Sequence, residues 1–519
     1  MTVLELQERY NASTTFIDKN LEAGRGDKTA VLYENQTITY NDIATLVNRT
    51  GNALMKLGVQ IEQRVLLLLL DCPEFIASFF GAIRIGAVPI PTNTMLKPAD
   101  YEYLLNDSRA TALIVSESLY PGIEPIRPNL MWLKHIIVVG DAPADTINFM
   151  EWIKNESDEL APANTSCDDM CFWLYSSGTT GFPKGTVHLQ HDMIYCAENY
   201  ARSILNINEN DRVFSVAKLF FAYGLGNALY FPFYVAATTI LYPGRPQPIP
   251  TYEGVTKYKP TLFFCEPTAY ANMLAVEDTS SYDLNSVRLC ISAGEALPEA
   301  LYRKWLAKWG VEILDGLGST EALHIFISNH AQEARPGSSG KTVPGYSARI
   351  VDEYDHDLPP GEVGNLLVKG ESTCAYYWNK HAKTKEAIWG EWLRTGDKYM
   401  ADGDGYFWHQ GRADDMFKAG GIWVSPVEVE STLIAHPAIL ECGVIGLTDK
   451  DSLAKPKAFV VLKQGFSASA ELEAELKAFV KDRIAPYKYP RWIQFIEELP
   501  KTATGKIQRY KLRELNAYA

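Results

Sequence analysis

With 519 residues the chain can fold into about three units of roughly 150 residues each, which excludes a peptide or a small disulfide scaffold. Its 49 Lys and Arg stand against 63 Asp and Glu, a net charge of −14 with no long run of one sign, so neither nucleic acid nor an anionic membrane is an expected partner. The 8 cysteines are scattered, with Cys167 and Cys171 the closest pair and no zinc-type array, and read as reduced thiols of a cytoplasmic protein.

In chain order, residues 1–20 mix Glu5, Glu8, Arg9 and Asp18 into the apolar positions and do not make a signal-peptide core. Residues 30–33 and 37–40 flank Glu34-Asn35-Gln36 as a β-hairpin. Asn41 is placed as the cap of a helix whose apolar positions Ile43, Leu46, Val47, Leu54 and Leu57 recur at helical spacing and which Gly58 stops. The unbroken apolar run 65–70 predicts a strand covered on both faces, hence a parallel sheet. Residues 216–242 are the most apolar stretch, yet Lys218, Gly224, Gly226, Asn227 and Pro232 interrupt it well short of ~18 continuous apolar residues, so it reads as buried core.

Beyond about residue 337 the texture changes to strands punctuated by Gly and Pro, including 346–352 and 364–370 around Pro359-Pro360-Gly361. The charged segment Gly411-Arg412-Ala413-Asp414-Asp415 marks a domain boundary. After it come strands at 439–447, 457–462 and 492–496, and a helix with Leu472, Leu476, Phe479, Val480 and Ile484 on one face, ended before Pro486. Short strands alternating with amphipathic helices make the class α/β, with a large domain over 1–411 and a small α+β domain over 412–519.

The strongest local motif is Tyr175-Ser176-Ser177-Gly178-Thr179-Thr180-Gly181-Phe182-Pro183-Lys184-Gly185, between a strand at 170–174 and a stretch read as helical from His188. Three glycines let backbone N–H groups converge, the hydroxyls add donors and Lys184 adds a charge, a set suited to an oligophosphate. It is not a Walker A loop, because Pro183 precedes the lysine and Gly185 follows it where a Ser or Thr is needed.

This segment resembles the signature loop of the acyl-adenylate-forming superfamily of acyl-CoA synthetases, luciferases and peptide-synthetase adenylation domains. Further segments stand in the family's order: Ser292-Ala293-Gly294-Glu295, Asp315-Gly316-Leu317-Gly318-Ser319-Thr320-Glu321, Trp392-Leu393-Arg394-Thr395-Gly396-Asp397, residues 411–415, and Pro500-Lys501-Thr502-Ala503-Thr504-Gly505-Lys506. The resemblance covers essentially the whole chain. It implies layered α/β subdomains and a β-barrel-like subdomain in the large domain, with a mobile small domain hinged at Asp414.

It also implies site roles. The phosphates would lie on Ser176, Ser177, Gly178, Thr179, Thr180, Gly181 and Lys184. Gly294, Glu295, Ala296, Asp315 and Gly316 would line the adenine. Asp397 would hold the ribose diol with Arg412 assisting, a surface ion pair being the plain alternative. Thr320 would donate to the α-phosphate and Glu321 would hold Mg²⁺, a hard cation that takes one or two carboxylates plus phosphate oxygens. Lys506 would bridge carboxylate and α-phosphate as their bond forms, which is electrostatic transition-state stabilisation. The neighbouring Lys501, Arg509, Lys511 and Arg513 read as a solvated face. Gly420, Gly421 and Ile422 stand where the family lines its pantetheine tunnel.

For the acid, Ala222 and Tyr223 would form one wall, Leu323, His324 and Ile325 another, and Ala293 and Gly318 the small floor positions, with Lys418 near the carboxylate. Such a pocket is flat and short and suits a planar ring stacked on aromatics. Within the superfamily this combination is most similar to benzoate-CoA ligases. Phe220, Phe221 and Leu225 read as core. The implied reaction is ATP-dependent conversion of benzoate or a close analogue to the acyl-AMP and then the CoA thioester; 2-aminobenzoate, hydroxybenzoates, fluorobenzoates and heteroaryl acids stay open. ATP, Mg²⁺ and coenzyme A are the expected cofactors and co-substrates, small molecules the expected partners, and a homodimer is kept open. The alternatives are an aryl-adenylating enzyme that loads a carrier protein, a luciferase-like oxygenase and a nucleotide sensor. Lys184, Thr320, Glu321, Asp397 and Lys506 all being present speaks against the sensor.

Overall fold

The computed structural model describes residues 8–176, 182–412, 415–419, 422–448, 454–485, 488–501 and 507–517. The apolar run near residue 65 forms the strand Arg64–Leu68, which is buried over its last four residues. It lies inside a five-stranded sheet that is parallel throughout, between Val88–Pro91 and Ala112–Ser116, with His135–Val139 and Ile147–Asn148 beyond. A second sheet has nine strands and is parallel through its centre, from Ile313–Gly318 across to Thr29–Tyr33. The hairpin expected at Glu34-Asn35-Gln36 is its edge, Thr29–Tyr33 paired antiparallel with Gln36–Thr39.

The helix that follows, Tyr40–Lys56, is capped by Thr39 and not by Asn41. Thr39 accepts the Asp42 N–H while the Asp42 carboxylate accepts the Thr39 N–H, a reciprocal box that only a residue three places ahead of Asp42 can make. Asn41 falls in the first turn, where its amide donates to Asp27 instead.

In the part of the large domain expected to be barrel-like, five strands form an antiparallel sheet. Ser347–Val351, Val363–Lys369 and Trp392–Ala401 pair in that order, and Ile388–Trp389 and Phe407–Arg412 both pair with Trp392–Ala401. The last unit pairs Ile439–Thr448 with Ala454–Leu462 and Trp492–Phe495 under the helices Pro426–Ile434, Ala470–Arg483 and Arg509–Ala517. Its two apolar clusters draw on no residue before Phe417, so this unit has its own core.

The basic run near the C-terminus is not wholly a solvated face. Arg509 is largely buried, its Nη2 lying 2.8 and 2.7 Å from the two Glu430 carboxylate oxygens, Arg513 reaches Asp415 at 2.9 Å, and Lys501 pairs with Glu441. Lys511 and Arg513 remain exposed, as expected of a solvated face, though Arg513 is paired. All eight cysteines are free. Among the described residues no helix is long and apolar enough to cross a membrane, and residues 216–242 pack into the two apolar clusters of the large domain.

Candidate functional site

In an open parallel sheet the C-terminal strand ends leave a crevice where backbone groups and polar side chains converge. Here the strand Leu289–Ser292 ends in Ala293-Gly294-Glu295, and its neighbour Ile313–Gly318 carries Asp315 and Gly316 and runs into Ser319-Thr320-Glu321. Ile325–Ser328 then returns antiparallel. Against this turn packs a separate three-stranded sheet, Tyr376–Tyr377, Lys184–Leu189 and Met170–Ser176.

His188 therefore lies on a strand, not in a helix; the helix begins at Asp192. Residues 185–188 are all buried, and Thr186 and Val187 favour the extended state. Ser176 pairs with Lys184, so the signature loop is the tip of a β-hairpin. Ser177, Gly178, Thr179, Thr180 and Gly181 at that tip lie outside the described residues, as do Asp414, Gly420, Gly421 and Lys506. The C-terminal side of the tip is pinned: Phe182 stacks on Tyr103 with centroids 4.6 Å apart, and the Tyr103 hydroxyl donates to the Pro183 carbonyl.

Around Glu321 the structure assembles residues from three segments. Its Oε1 accepts from the Ser176 hydroxyl at 3.1 Å and from the Tyr377 hydroxyl at 2.8 Å. The Lys184 ammonium lies over the Tyr377 ring, 4.1 Å from its centroid. Burial, and then the Glu321 charge, push the Tyr377 phenol up, so it stays a donor to the carboxylate. Around this turn, Tyr377, His188 and Asp192 are site residues that the sequence did not single out, as are Tyr200 and Phe231 at the aromatic wall. Among the described residues no group of three or more His, Cys, Asp or Glu could hold a metal by itself. The single Glu321 carboxylate would suit a Mg²⁺ that takes the rest of its ligands from phosphate oxygens and water.

Asp397, on Trp392–Ala401, pairs across the strands with Arg412, whose Nη1 is 3.0 Å from Asp397 Oδ1. The carboxylate is nearly buried and the guanidinium half-exposed, so this is an anchored carboxylate at the edge of the crevice and not a free surface pair. Asp315 is buried with its Oδ1 unpartnered, and burial pushes its carboxyl well above the ordinary range. Glu295 accepts from the Thr268 hydroxyl at 2.8 Å, Gly294 is in the left-handed region, and Ala296 is half-buried beside them.

The aromatic wall closes on His324. Its ring is 5.6 Å from Tyr223, 5.3 Å from Tyr200 and 4.5 Å from Phe231, centroid to centroid. Its Nε2 donates to Asn227 Oδ1 at 3.0 Å and lies 3.3 Å from the Tyr223 carbonyl, and burial lowers its pKa to about 3. The ring is neutral. The Tyr223 hydroxyl is spent on the Ile291 carbonyl, which leaves its ring as the feature presented. Ala222, Ala293, Leu323 and Ile325 are buried around it. Gly318 has a further reason to be glycine: a Cβ there would stand 2.6 Å from the His324 carbonyl oxygen. Lys418 and Ile422 sit on the short hairpin Phe417–Ala419 and Ile422–Val424 of the C-terminal unit.

A model of the AMP-binding enzyme family matches residues 18–378, and one of the AMP-binding enzyme C-terminal domain matches residues 428–506. The benzoate-CoA ligase of Thauera aromatica is 51% identical over 512 residues, 98% of this chain and 97% of that protein. The 4-hydroxybenzoate-CoA/benzoate-CoA ligase of Rhodopseudomonas palustris is 45% identical over 508 residues, 98% of this chain and 94% of that one. Among solved structures, an anthranilate CoA ligase in complex with anthranoyl-AMP superposes with a TM-score of 0.97 at 46% identity, with 100% of each chain covered. A benzoate CoA ligase from Burkholderia xenovorans superposes with a TM-score of 0.90 at 45% identity, over 97% of this chain and 100% of that one. With both models in sequence order and relatives of this identity matched nearly end to end, the chain belongs to the AMP-binding enzyme family.

Proposed function

We propose that this protein is an AMP-forming ligase that joins an aromatic carboxylic acid, benzoate or a close analogue, to coenzyme A at the expense of ATP. The observation that carries the reading is the neutral His324 wedged among Tyr200, Tyr223 and Phe231 beside the Thr320-Glu321 turn, an apolar aromatic wall next to a phosphate-type site. The 51% identity to a benzoate-CoA ligase over nearly the full length of both chains supports the same substrate class.

In the first half-reaction a carboxylate oxygen attacks the α-phosphorus of ATP, and the bond to pyrophosphate breaks. In the second, the CoA sulfur attacks the acyl carbon, AMP leaves, and the thiol proton passes to solvent. Residues 176–181 with Lys184 would cradle the phosphates. Thr320 would donate to the α-phosphate, Asp397 with Arg412 would hold the ribose, and Gly294, Glu295, Ala296, Asp315 and Gly316 would border the adenine. Glu321 would hold Mg²⁺, which when bound offsets the phosphate charge. Lys506 would stabilise the charge shared by carboxylate and phosphate in the first transition state. Ala222, Tyr223, Ala293, Gly318, Leu323, His324, Ile325 and Lys418 would enclose the acid, and Gly420, Gly421 and Ile422 the thiol arm. The small domain would begin near residue 412 and turn about Asp414, a division supported by the separate core beyond Phe417.

The test is acid-dependent exchange of pyrophosphate into ATP with benzoate, 2-aminobenzoate, 4-hydroxybenzoate, acetate and hexanoate, followed by thioester formation with free CoA. An aryl acid should drive exchange best. Preference for hexanoate would reject the aryl pocket, and exchange without thioester from free CoA would favour a carrier-protein acceptor.

A further inference from the structure

We infer that His188 is a positioning residue for adenylation, fixing the backbone of the Thr320-Glu321 turn through the Thr320 carbonyl. The inference rests on the proposed placing of Thr320 and Glu321 at the phosphate end.

The turn needs to be held. Leu323, which closes it, has φ +68°, a left-handed conformation that a branched L side chain adopts only where its surroundings impose it. Three successive carbonyls of the turn are taken by groups from elsewhere in the chain. Ala322 O accepts the Ser372 hydroxyl at 2.9 Å, Glu321 O accepts the Cys374 N–H at 2.6 Å, and Thr320 O accepts His188 Nε2 at 2.8 Å. Thr320 O also receives the Leu323 N–H at 3.2 Å, so the His188 bond falls on the carbonyl that defines the turn.

The histidine is itself fixed. Its side chain is completely buried, it stacks on Phe172 with centroids 5.3 Å apart, and its Nδ1 is 2.7 Å from Asp192 Oδ2. That carboxylate oxygen also takes the Leu189 N–H. A carbonyl and a carboxylate can only accept, so both ring nitrogens face acceptors: Nε2 donates to the Thr320 carbonyl and Nδ1 to Asp192 Oδ2, the second bond being charge-assisted. His188 and Lys184 lie four residues apart on one strand, hence on one face of it. The hairpin that presents the signature loop is thereby locked to the turn that presents Thr320 and Glu321. The Ser176 and Tyr377 hydroxyls hold the Glu321 side chain, whereas His188 holds the backbone beneath it.

The decisive variants are His188→Asn and His188→Gln. Asparagine places an amide where Nδ1 was, toward Asp192, and removes the donor to Thr320; glutamine carries an amide nitrogen to the place of Nε2. Saturating pyrophosphate exchange should fall at least ~10-fold in His188→Asn, with KM for ATP and acid within about threefold of wild type, and should return to within about threefold in His188→Gln. Parallel losses in the two variants that follow their melting temperatures, or wild-type exchange in His188→Asn, would overturn the inference. Should His188→Asn not fold, Asp192→Asn is measured in its place: a lower exchange rate at unchanged KM supports the role and an unchanged rate overturns it. Thr320→Val is run alongside. Wild-type exchange there removes the phosphate assignment and the inference with it, whereas loss there without loss in His188→Asn overturns the inference alone.

Discussion

Replacing Glu321 by Gln separates the charge of this residue from its place in the structure. The amide oxygen can keep the position of Oε1, so the Ser176 and Tyr377 hydroxyls, at 3.1 and 2.8 Å, retain an acceptor. What changes is that two charge-assisted bonds of about 1.5–3 kcal/mol become neutral ones of about 0.5–1.5 kcal/mol. The difference for the two bonds is about 2–3 kcal/mol between corresponding ends of those ranges, and partial solvent access reduces it to about 1 kcal/mol. In a protein this large that moves the melting temperature by about 1–2 °C. The chemistry should suffer far more, because a carboxylate that holds Mg²⁺ on the phosphates acts where charge is concentrated; its loss should lower exchange by about 10²-fold to 10³-fold. The half-saturating Mg²⁺ concentration should also rise. The assay is pyrophosphate exchange at saturating acid and ATP over a Mg²⁺ series, with a thermal melt of the same preparation. Exchange within threefold of wild type at ordinary Mg²⁺ would refute the metal role, and a melting shift that accounts for the lost activity would refute the separation of charge from fold.

Lys506→Ala should abolish acyl-AMP formation yet leave conversion of supplied benzoyl-AMP and CoA to the thioester largely intact; equal loss of both half-reactions removes the proposed role. Asp414→Pro, which fixes φ near −65°, should freeze one domain arrangement, with adenylation surviving and thioester formation falling at least ~10-fold; both rates near wild type would place the pivot elsewhere. For His324, burial lowers the pKa from 6.5 to about 3, so the unfolded chain takes up this proton first as pH falls. The stability tied to the neutral ring is whole above pH 6.5 and is lost from there toward pH 3 at about 1.4 kcal/mol per unit. Denaturation midpoints of wild type should therefore drop more between pH 7 and pH 5 than those of His324→Phe, and equal slopes would reject the buried neutral ring.

The site motifs were legible because phosphate and metal chemistry asks for adjacent residues in one order: Thr320-Glu321, Arg394-Thr395-Gly396-Asp397 and Ser176 through Lys184 are each short and contiguous. Tyr377 and His188 were not, since they reach the turn from segments 56 and 132 residues away and carry no local pattern. The strand at His188 was mistaken for a helix because it is six residues long and only Thr186 and Val187 announce it. At the first helix two good capping residues stand two places apart, and the choice between Asn41 and Thr39 is made by the side chain of Asp42, which returns only to the residue three places before it.

The basic tail shows what a run of like charges hides. A solvated face and a buried anchor are spelt with the same residue types, and only the partner's position distinguishes them. Arg509 is largely buried, and a guanidinium withdrawn from water needs carboxylate partners. Its pairs are Glu430 and Asp415, and Asp415 also receives Arg513 from the same helix. Asp415 is thus fastened to the C-terminal unit by two arginines, whereas Arg412 is fastened to the large domain through Asp397. A rotation between the units that pivoted at or beyond Asp415 would have to break the Arg509 and Arg513 contacts. One that turns between 412 and 415 leaves both anchors whole, and only residues 413 and 414 then remain to absorb the change in dihedral angles, which argues for the pivot that Asp414→Pro is designed to freeze.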